Sequence, residues 1–358
     1  MGDRTGIEWT DATWNPVRGC SRVSEGCSHR VGGRRNGWTG EVRLVPEHLA
    51  DPLKWRKPRR IFVNSMSDLF HERLTNDQIA AVFGVMAACP QHTFQVLTKR
   101  PKRMREWFAW LETSVDRVAT EWAGRDCTTS IHDACTDSLL EYLDETACAA
   151  LVGNFDACHL GLTTSKTRRW PLPNVWLGVS VENQAAADER IPWLLATPAA
   201  VRFLSCEPLI GEIDLDMLRC DDVNHSEAEW GADDDDAQPW CHECDEERSS
   251  GHWLHCDGGI DWVIAGCESG PGARPCEVAW LRSLLDQCSE HEVPFFLKQA
   301  VEHHHNEGFP GEGVWSGDGS KRKAGGVIAA PYLDGVQHLE FPSAPPSEGG
   351  DVAVESDA

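Results

Sequence analysis

Val175-Trp176-Leu177-Gly178-Val179 runs directly into Ser180-Val181-Glu182-Asn183, an apolar stretch followed at once by groups that need water or a polar partner. A short apolar run without polar alternation marks a strand covered on both faces, as strands of a parallel sheet are. Five other stretches share the design. Ile61-Phe62-Val63 precedes Asn64-Ser65-Met66-Ser67-Asp68, and Thr93-Phe94-Gln95-Val96-Leu97 precedes Thr98-Lys99-Arg100. Val201-Arg202-Phe203-Leu204 precedes Ser205-Cys206-Glu207-Pro208, Trp262-Val263-Ile264-Ala265 leads to Cys267-Glu268-Ser269-Gly270, and Pro294-Phe295-Phe296-Leu297 leads to Lys298-Gln299. Between them, residues 76–88, 102–111, 184–195 and 278–289 carry apolar side chains at three- and four-residue spacing, the pattern of helices with one buried face. Strands alternating with helices predict an α/β fold, a parallel (β/α) barrel or partial barrel of the TIM type with insertions. In such a fold the C-terminal strand ends converge on one mouth, so the polar residues that close each run are expected to face one cavity.

The chain has 358 residues, 41% of them hydrophobic, enough for one large core. The strand–helix alternation places the barrel within residues 1–302. Residues 124–170 read as a helical insertion and residues 216–258 as an acidic, loop-rich one. Residues 303–342 read as a C-terminal extension, and 343–358 as a disordered tail. No stretch approaches the roughly 20 continuous apolar residues of a membrane span, and the opening lacks a signal-peptide core, which predicts a cytoplasmic protein without a membrane partner. The net charge of -24 is unevenly spread: residues 1–122 hold 19 Lys+Arg against 14 Asp+Glu, and the remainder holds 14 against 43. Any nucleic-acid contact therefore belongs to the N-terminal third, around Arg56, Lys57, Arg59, Arg60 and the run from Lys99 to Arg105; solvated surface arginines are the plainer account of the same residues.

Fifteen cysteines without a secretion signal point to metal binding, redox chemistry or burial rather than to disulfides. Two groups stand out. Cys20 and Cys27 follow a short extended segment, residues 12–16, where a first strand would pass into its first loop. Three thiolates on one such loop can hold three irons of a [4Fe–4S] cluster and leave the fourth open to a ligand such as S-adenosylmethionine. The position three residues after Cys27 holds Arg30, which cannot ligate iron because it stays protonated. His29 is the remaining nearby ligand, and imidazole ligation of such a cluster is uncommon. The second group is Cys220, Cys241, Cys244 and Cys256. Cys241-His242-Glu243-Cys244 has the spacing that lets two thiolates meet one tetrahedral zinc ion, with Cys256 and either Cys220 or His252 to complete the set. Structural zinc and free loop cysteines both remain open for this insertion.

A longer series of blocks carries a resemblance. Residues 7–16, Gly19-Cys20, Gly26-Cys27, residues 61–72, 95–101, 176–183, 203–209, 268–275 and 295–299 occur together and in order, and residues 334–342 match the usual close. Together they resemble the phage gene product 37 / gene product 68 family from residue 7 to about 342. The family's three-cysteine opening resembles that of a radical S-adenosylmethionine barrel, which implies a [4Fe–4S] cluster and S-adenosylmethionine as cofactors. In this chain the third cysteine is replaced at Arg30 and the helix expected behind it is missing, so the resemblance implies either an enzyme with an impaired cluster site or a degenerate relative, acting on or near nucleic acid. The rival from the residues themselves is a non-catalytic, zinc-stabilised module that keeps the pocket for a nucleotide or a partner protein.

The strand-end residues supply the candidate site. Glu182, Glu207, Glu268 and Lys298 are the candidate acid, base and cofactor-holding groups, and Asn64, Ser65, Asp68, Lys99, Arg100, Ser180, Asn183 and Gln299 are the candidate cofactor-binding ones. An internal ion-pair network closing the barrel mouth accounts for the same charges equally well.

Overall fold

The computed structural model describes residues 5–27, 41–121, 138, 139, 141, 142, 171–215, 230, 231, 240, 241, 259–269, 273–301, 321–323, 327–329 and 331–342. Seven strands pair side by side in chain order and all in parallel: β1 (Ala12–Trp14), β2 (Arg60–Val63), β3 (Thr93–Thr98), β4 (Val175–Ser180), β5 (Val201–Cys206), β6 (Trp262–Gly266) and β7 (Phe295–Val301). Four helices connect or flank them: α1 (Asn76–Ala87), α2 (Pro101–Glu121), α3 (Gln184–Leu195) and α4 (Val278–Glu290). Two short strands, β8 (Lys321–Lys323) and β9 (Val327–Ala329), extend the sheet antiparallel, with β9 next to β7. The strands and helices fall where the apolar runs predict them.

Strand order and handedness dictate the shape. Right-handed crossovers that always step in the same direction leave every helix on the same face of the sheet. The opposite face has no helices to cover it and must curl upon itself. The result is a half-barrel. Two separate cores record this. The larger lies between sheet and helices and joins Trp14, Ile61, Val63, Phe94, Val96, Leu177, Val179, Val263 and Leu297 to Phe83, Trp107, Leu194 and Leu284. The smaller fills the concave side with Trp9, Trp176, Val201, Phe203, Trp262, Ile264 and Phe296, against which Phe62, Leu97 and Phe341 pack. Gly178 makes room inside it, because a Cβ there would lie 2.5 Å from the Phe203 ring.

Helix starts follow local chemistry. Thr75 and Gln78 form a reciprocal capping box ahead of α1, and the Asn183 side chain accepts from the Ala186 N–H to cap α3. The segment 331–342 closes the base of the half-barrel. Leu297 N donates to His338 O, Trp262 Nε1 donates to Glu340 O, and Phe341 lies 5.1 Å from the Trp262 ring centroid. On the far side Arg60 places its guanidinium 4.1 Å from the Phe341 centroid, so one aromatic ring links the start of β2 to the starts of β6 and β7.

The insertions fall largely outside the described residues. Of 124–170, Leu139 is buried in the larger core. Of 216–258, Trp230–Gly231 pairs antiparallel with Trp240–Cys241. Cys220, Cys244 and Cys256, and with them most of the candidate zinc set, lie outside the described residues, as do Arg30 and the tail 343–358. Among the described residues no helix is long and apolar enough to cross a membrane.

Candidate functional site

The pleat of the strands sets the site. Residues on the concave side recur every second position, and that period continues past each strand end. Counting from Phe62 it reaches Asn64; from Leu97, Lys99; from Gly178, Ser180 and Glu182; from Phe203, Ser205 and Glu207; from Ile264, Gly266 and Glu268; from Phe296, Lys298. The apolar interior thus turns into a polar mouth within one or two residues of each strand.

A cavity of about 290 Å³ opens there. Its walls include Cys20, Ser21, Gly26 and Cys27 from the N-terminal loop, Asn64, Ser65, Met66, Ser67 and Asp68 from the β2 end, Lys99 and Arg100 from the β3 end, Ser180, and Phe62 and Leu97 from the apolar interior. Six of the eight predicted cofactor-binding residues therefore meet in one place, together with both N-terminal cysteines. The other two are engaged elsewhere: Asn183 caps α3, and Gln299 is buried and donates through Nε2 to Cys267 O at 2.9 Å.

The charges at the mouth are paired with one another. Glu182 is the hub of the first group. It takes Lys99 Nζ at 3.1 Å and Arg190 Nη1 at 2.8 Å on Oε2, with Ser24 Oγ and Gly26 N donating to Oε1. Burial alone would raise the Glu182 pKa, but the charges of Lys99 and Arg190 outweigh it and hold the carboxyl at about 2. Burial pulls the Lys99 ammonium down from its ordinary value despite Glu182. Asp68 is the second hub: Thr98 Oγ1 at 2.8 Å, Lys99 N at 3.1 Å and Arg100 Nη1 at 3.1 Å all donate to it. Arg100 continues to Glu72 at 2.8 Å and to Ser21 Oγ at 2.8 Å, and its Nη1 stands 3.9 Å from Cys20 Sγ. Burial raises the Cys20 pKa, with Asp68 adding to the effect and Arg100 opposing it. Lys298 reaches both Glu207 oxygens at 2.5 and 2.7 Å. Arg274 grips Glu268 with its backbone N–H and two guanidinium nitrogens, each at 2.9 Å.

The N-terminal loop folds over these groups because it has no bulk where it touches them. A Cβ at Gly26 would come within 2.9 Å of Glu182 Cδ and 3.2 Å of Lys99 Nζ. At Gly19 φ is +88° and a Cβ would collide with Glu41 O, so glycine is required twice over. Asn64 also holds a left-handed conformation, with φ 61°, a costly geometry for a residue other than glycine and one that asparagine tolerates best.

Ser21 and His71 lie 2.9 Å apart, Oγ to Nε2, with Glu72 3.4 Å from His71 Nδ1. The arrangement is not a nucleophile with its base. Arg73 N donates to His71 Nδ1 at 3.2 Å, which leaves the ring proton on Nε2 and makes the imidazole a donor to Ser21. Burial, reinforced by Arg100, keeps His71 below its ordinary pKa and hence neutral at pH 7.

The predicted basic stretch is divided by the fold. Arg60 stands at the base of the half-barrel, paired with Asp11 at 3.2 Å, and Arg59 lies over Trp55. Lys99, half-buried, and Arg100, buried, are at the opposite end, at the mouth. Arg190 and Arg274, which complete the clamps on Glu182 and Glu268, are not among the sequence candidates. Arg190 carried a signal, since it falls on the apolar face of α3 with Ala186, Ala187, Ile191 and Leu194. Arg274 carried none beyond its place six residues after Glu268.

The sequence matches the family described as a protein of unknown function (DUF5131) over residues 4–342. The chain belongs to this family. No curated protein and no solved structure matches it. In this DUF5131 chain two thiols reach the mouth, and among the described residues no three His, Cys, Asp or Glu side chains are grouped to hold a metal ion. With Arg30 in the third cysteine position, the donor set does not meet the three thiolates that a cluster with an open iron requires.

Proposed function

We propose that this chain is a small-molecule-binding half-barrel of radical S-adenosylmethionine ancestry, phage or prophage in origin, that keeps the mouth pocket of such an enzyme without its cluster. The observation that carries the reading is the convergence of Cys20, Cys27, Asn64, Lys99, Arg100 and Ser180 on one cavity, where the one carboxylate on the wall, Asp68, is bound to Arg100 and Lys99 is bound to the neighbouring Glu182. Glu182, Asp68, Glu207 and Glu268 each hold a cation with good geometry, an arrangement that fixes the shape of a site and removes these carboxylates as free bases. The cavity is built from rigid strand ends roofed by one loop, the arrangement in which ligand pockets of parallel α/β proteins are found.

Two measurements test this reading. After anaerobic incubation with iron and sulfide, the purified chain should hold fewer than about one iron, whereas binding of about four irons and four sulfides per chain would make it a cluster protein and overturn the reading. In a thermal-shift screen against common metabolites at about 1 mM, at least one should raise Tm by a few degrees. If none does, the pocket is not a ligand site.

A further inference from the structure

We propose that the outer edge of the half-barrel beside β1 is a second binding surface, a strip of cations running from Arg18 and Arg43 at the mouth to Arg59 at the base, and that its partner is the phosphate backbone of a nucleic acid. The strip lies outside the mouth cavity, and the inference does not depend on what that cavity binds.

The charge of the chain is segregated. Residues 43–60 hold six Lys+Arg against two Asp+Glu, in a chain that holds 33 against 57. The fold lays this segment along the edge strand of the sheet: Val45 N donates to Pro16 O at 2.7 Å, and Trp14 Nε1 donates to His48 O at 2.7 Å. The cations follow one another along it. Arg18 stands directly opposite Arg43 in the two-residue antiparallel ladder Val17–Arg18 with Arg43–Leu44. Arg18 Nη2 is 3.2 Å from His48 Nε2, His48 Nδ1 is 3.2 Å from Asp51 Oδ2, and Asp51 Oδ1 is 3.3 Å from Lys54 Nζ. Trp55 comes next in the chain, with the Arg59 guanidinium 5.2 Å from its ring centroid and the exposed Arg56 and Lys57 between them in sequence.

The free cations sit where only an outside anion can neutralise them. Arg18, Arg43, Arg56 and Lys57 are exposed, and among the described residues none of the four has an acidic partner. Like charges directly across a ladder destabilise it, so the Arg18 and Arg43 pair is a cost that the fold itself does not relieve. A phosphate between two guanidinium forks relieves it, because each fork can give two parallel N–H bonds to phosphate oxygens. The four strand steps from Arg60 at the base to Asn64, which holds Val17 N, cover about 13 Å at about 3.3 Å each. A nucleic-acid strand presents about four phosphates over that rise, one for each free cation.

The same residues define how the strand is held. Arginine and lysine forks fix a backbone without reading bases. The local elements, helix Pro46–Leu49, the turn Pro52–Lys54 and the two-residue ladder, are too short to fill a major groove, so binding is independent of sequence. An anionic membrane is the poorer match, because the exposed large apolar side chains among the described residues are Val23, Met66, Val336 and Leu339, none of them in the strip. Of the cations that the sequence offers for nucleic acid, Lys99 and Arg100 are bound inside the mouth, whereas Arg18, Arg43 and Lys54 join Arg56, Lys57 and Arg59 only through the fold.

Fluorescence anisotropy of the full chain with labelled DNA and RNA of about 20 nucleotides, single and double stranded, tests the assignment. At about 50 mM salt Kd should lie below about 100 μM whatever the base sequence, and raising the salt to about 200 mM should weaken binding about 50- to 150-fold, the dependence expected for about four neutralised phosphates. The double variants Arg18→Gln with Arg43→Gln and Arg56→Gln with Lys57→Gln should each weaken binding at least about tenfold at the lower salt and roughly halve the slope of log K against log salt. Arg73→Gln with Lys102→Gln removes as much charge from exposed positions outside the strip and should change Kd by less than about twofold. No binding at about 50 mM salt, a salt slope near zero, or equal weakening by the control pair would overturn the strip as the binding surface. Vesicles rich in phosphatidylserine that bind more tightly than every oligonucleotide would overturn nucleic acid as its partner.

Discussion

At the scale of the residue, Glu182 decides the character of the mouth. It is 1% exposed, and its carboxylate has two cationic partners and two further donors. A buried acid in that position is an ion by virtue of its neighbours, and they in turn depend on it. Glu182→Gln leaves the buried Arg190 and the half-buried Lys99 without their counter-charge, and should cost about 3 kcal/mol, read from urea unfolding at pH 7. The pH dependence has a definite sign. The folded pKa of about 2 lies below the ordinary 4.5, so the stability from ionised Glu182 is complete above about pH 4.5 and is lost as pH falls through 2. The stability gap between wild type and Glu182→Gln should therefore be constant from pH 7 to about 5 and narrow steadily below it; a gap independent of pH would show that the carboxylate is not held as an ion. The Glu182 position was legible from the sequence, because it ends an apolar run two residues beyond Ser180. Its partner Arg190 was half legible, as a cation on an apolar helix face. The clamp of Arg274 on Glu268 was not legible, since a loop contact over six residues leaves no period to read.

At the scale of the element, the strands and helices were the most legible part of the chain, because apolar runs and helical spacing report directly on burial. What the runs do not show is how far adjacent strands interlock. Gly178 in β4 stands opposite Phe203 in β5, and its hydrogen lets the phenyl ring lie across the neighbouring strand. Gly178→Ala pushes a methyl into that ring at 2.5 Å and should destabilise by about 1–3 kcal/mol. Phe203→Leu should recover part of the loss in the double variant, because the two sites share one space; strict additivity in denaturant unfolding would argue against the contact. The N-terminal loop follows the same rule of missing bulk at Gly19 and Gly26, yet its placement over the β3 and β4 ends could not be read from a spacing of cysteines. That spacing points to metal chemistry, and the structure adds that the same loop forms a roof whose polar atoms are tied to Glu182 and Arg100.

At the scale of the whole molecule, a sheet of seven parallel strands in chain order, extended at one edge by two antiparallel ones, is open along one side, and the segment 331–342 holds its base together. Phe341 touches Trp262 and Phe296 on one flank and Arg60 on the other. Phe341→Ala should therefore cost about 3 kcal/mol, toward the lower end for a half-exposed ring, and should increase binding of an apolar dye to the native protein. A loss below about 0.5 kcal/mol would mean that the segment merely rests on the barrel. The sequence placed this segment in an extension, not in the core, because its apolar residues are few and widely spaced and become a closure only when set against strands 40 to 280 positions earlier.

That closure has a consequence for synthesis. The concave aromatic wall is assembled from strands made early and is sealed by a ring made late, so a ribosome that has emitted six strands still displays Trp176, Phe203 and Trp262 to solvent or to whatever chaperone waits there. The interior of this protein is finished only when translation has carried Phe341 clear of the exit tunnel.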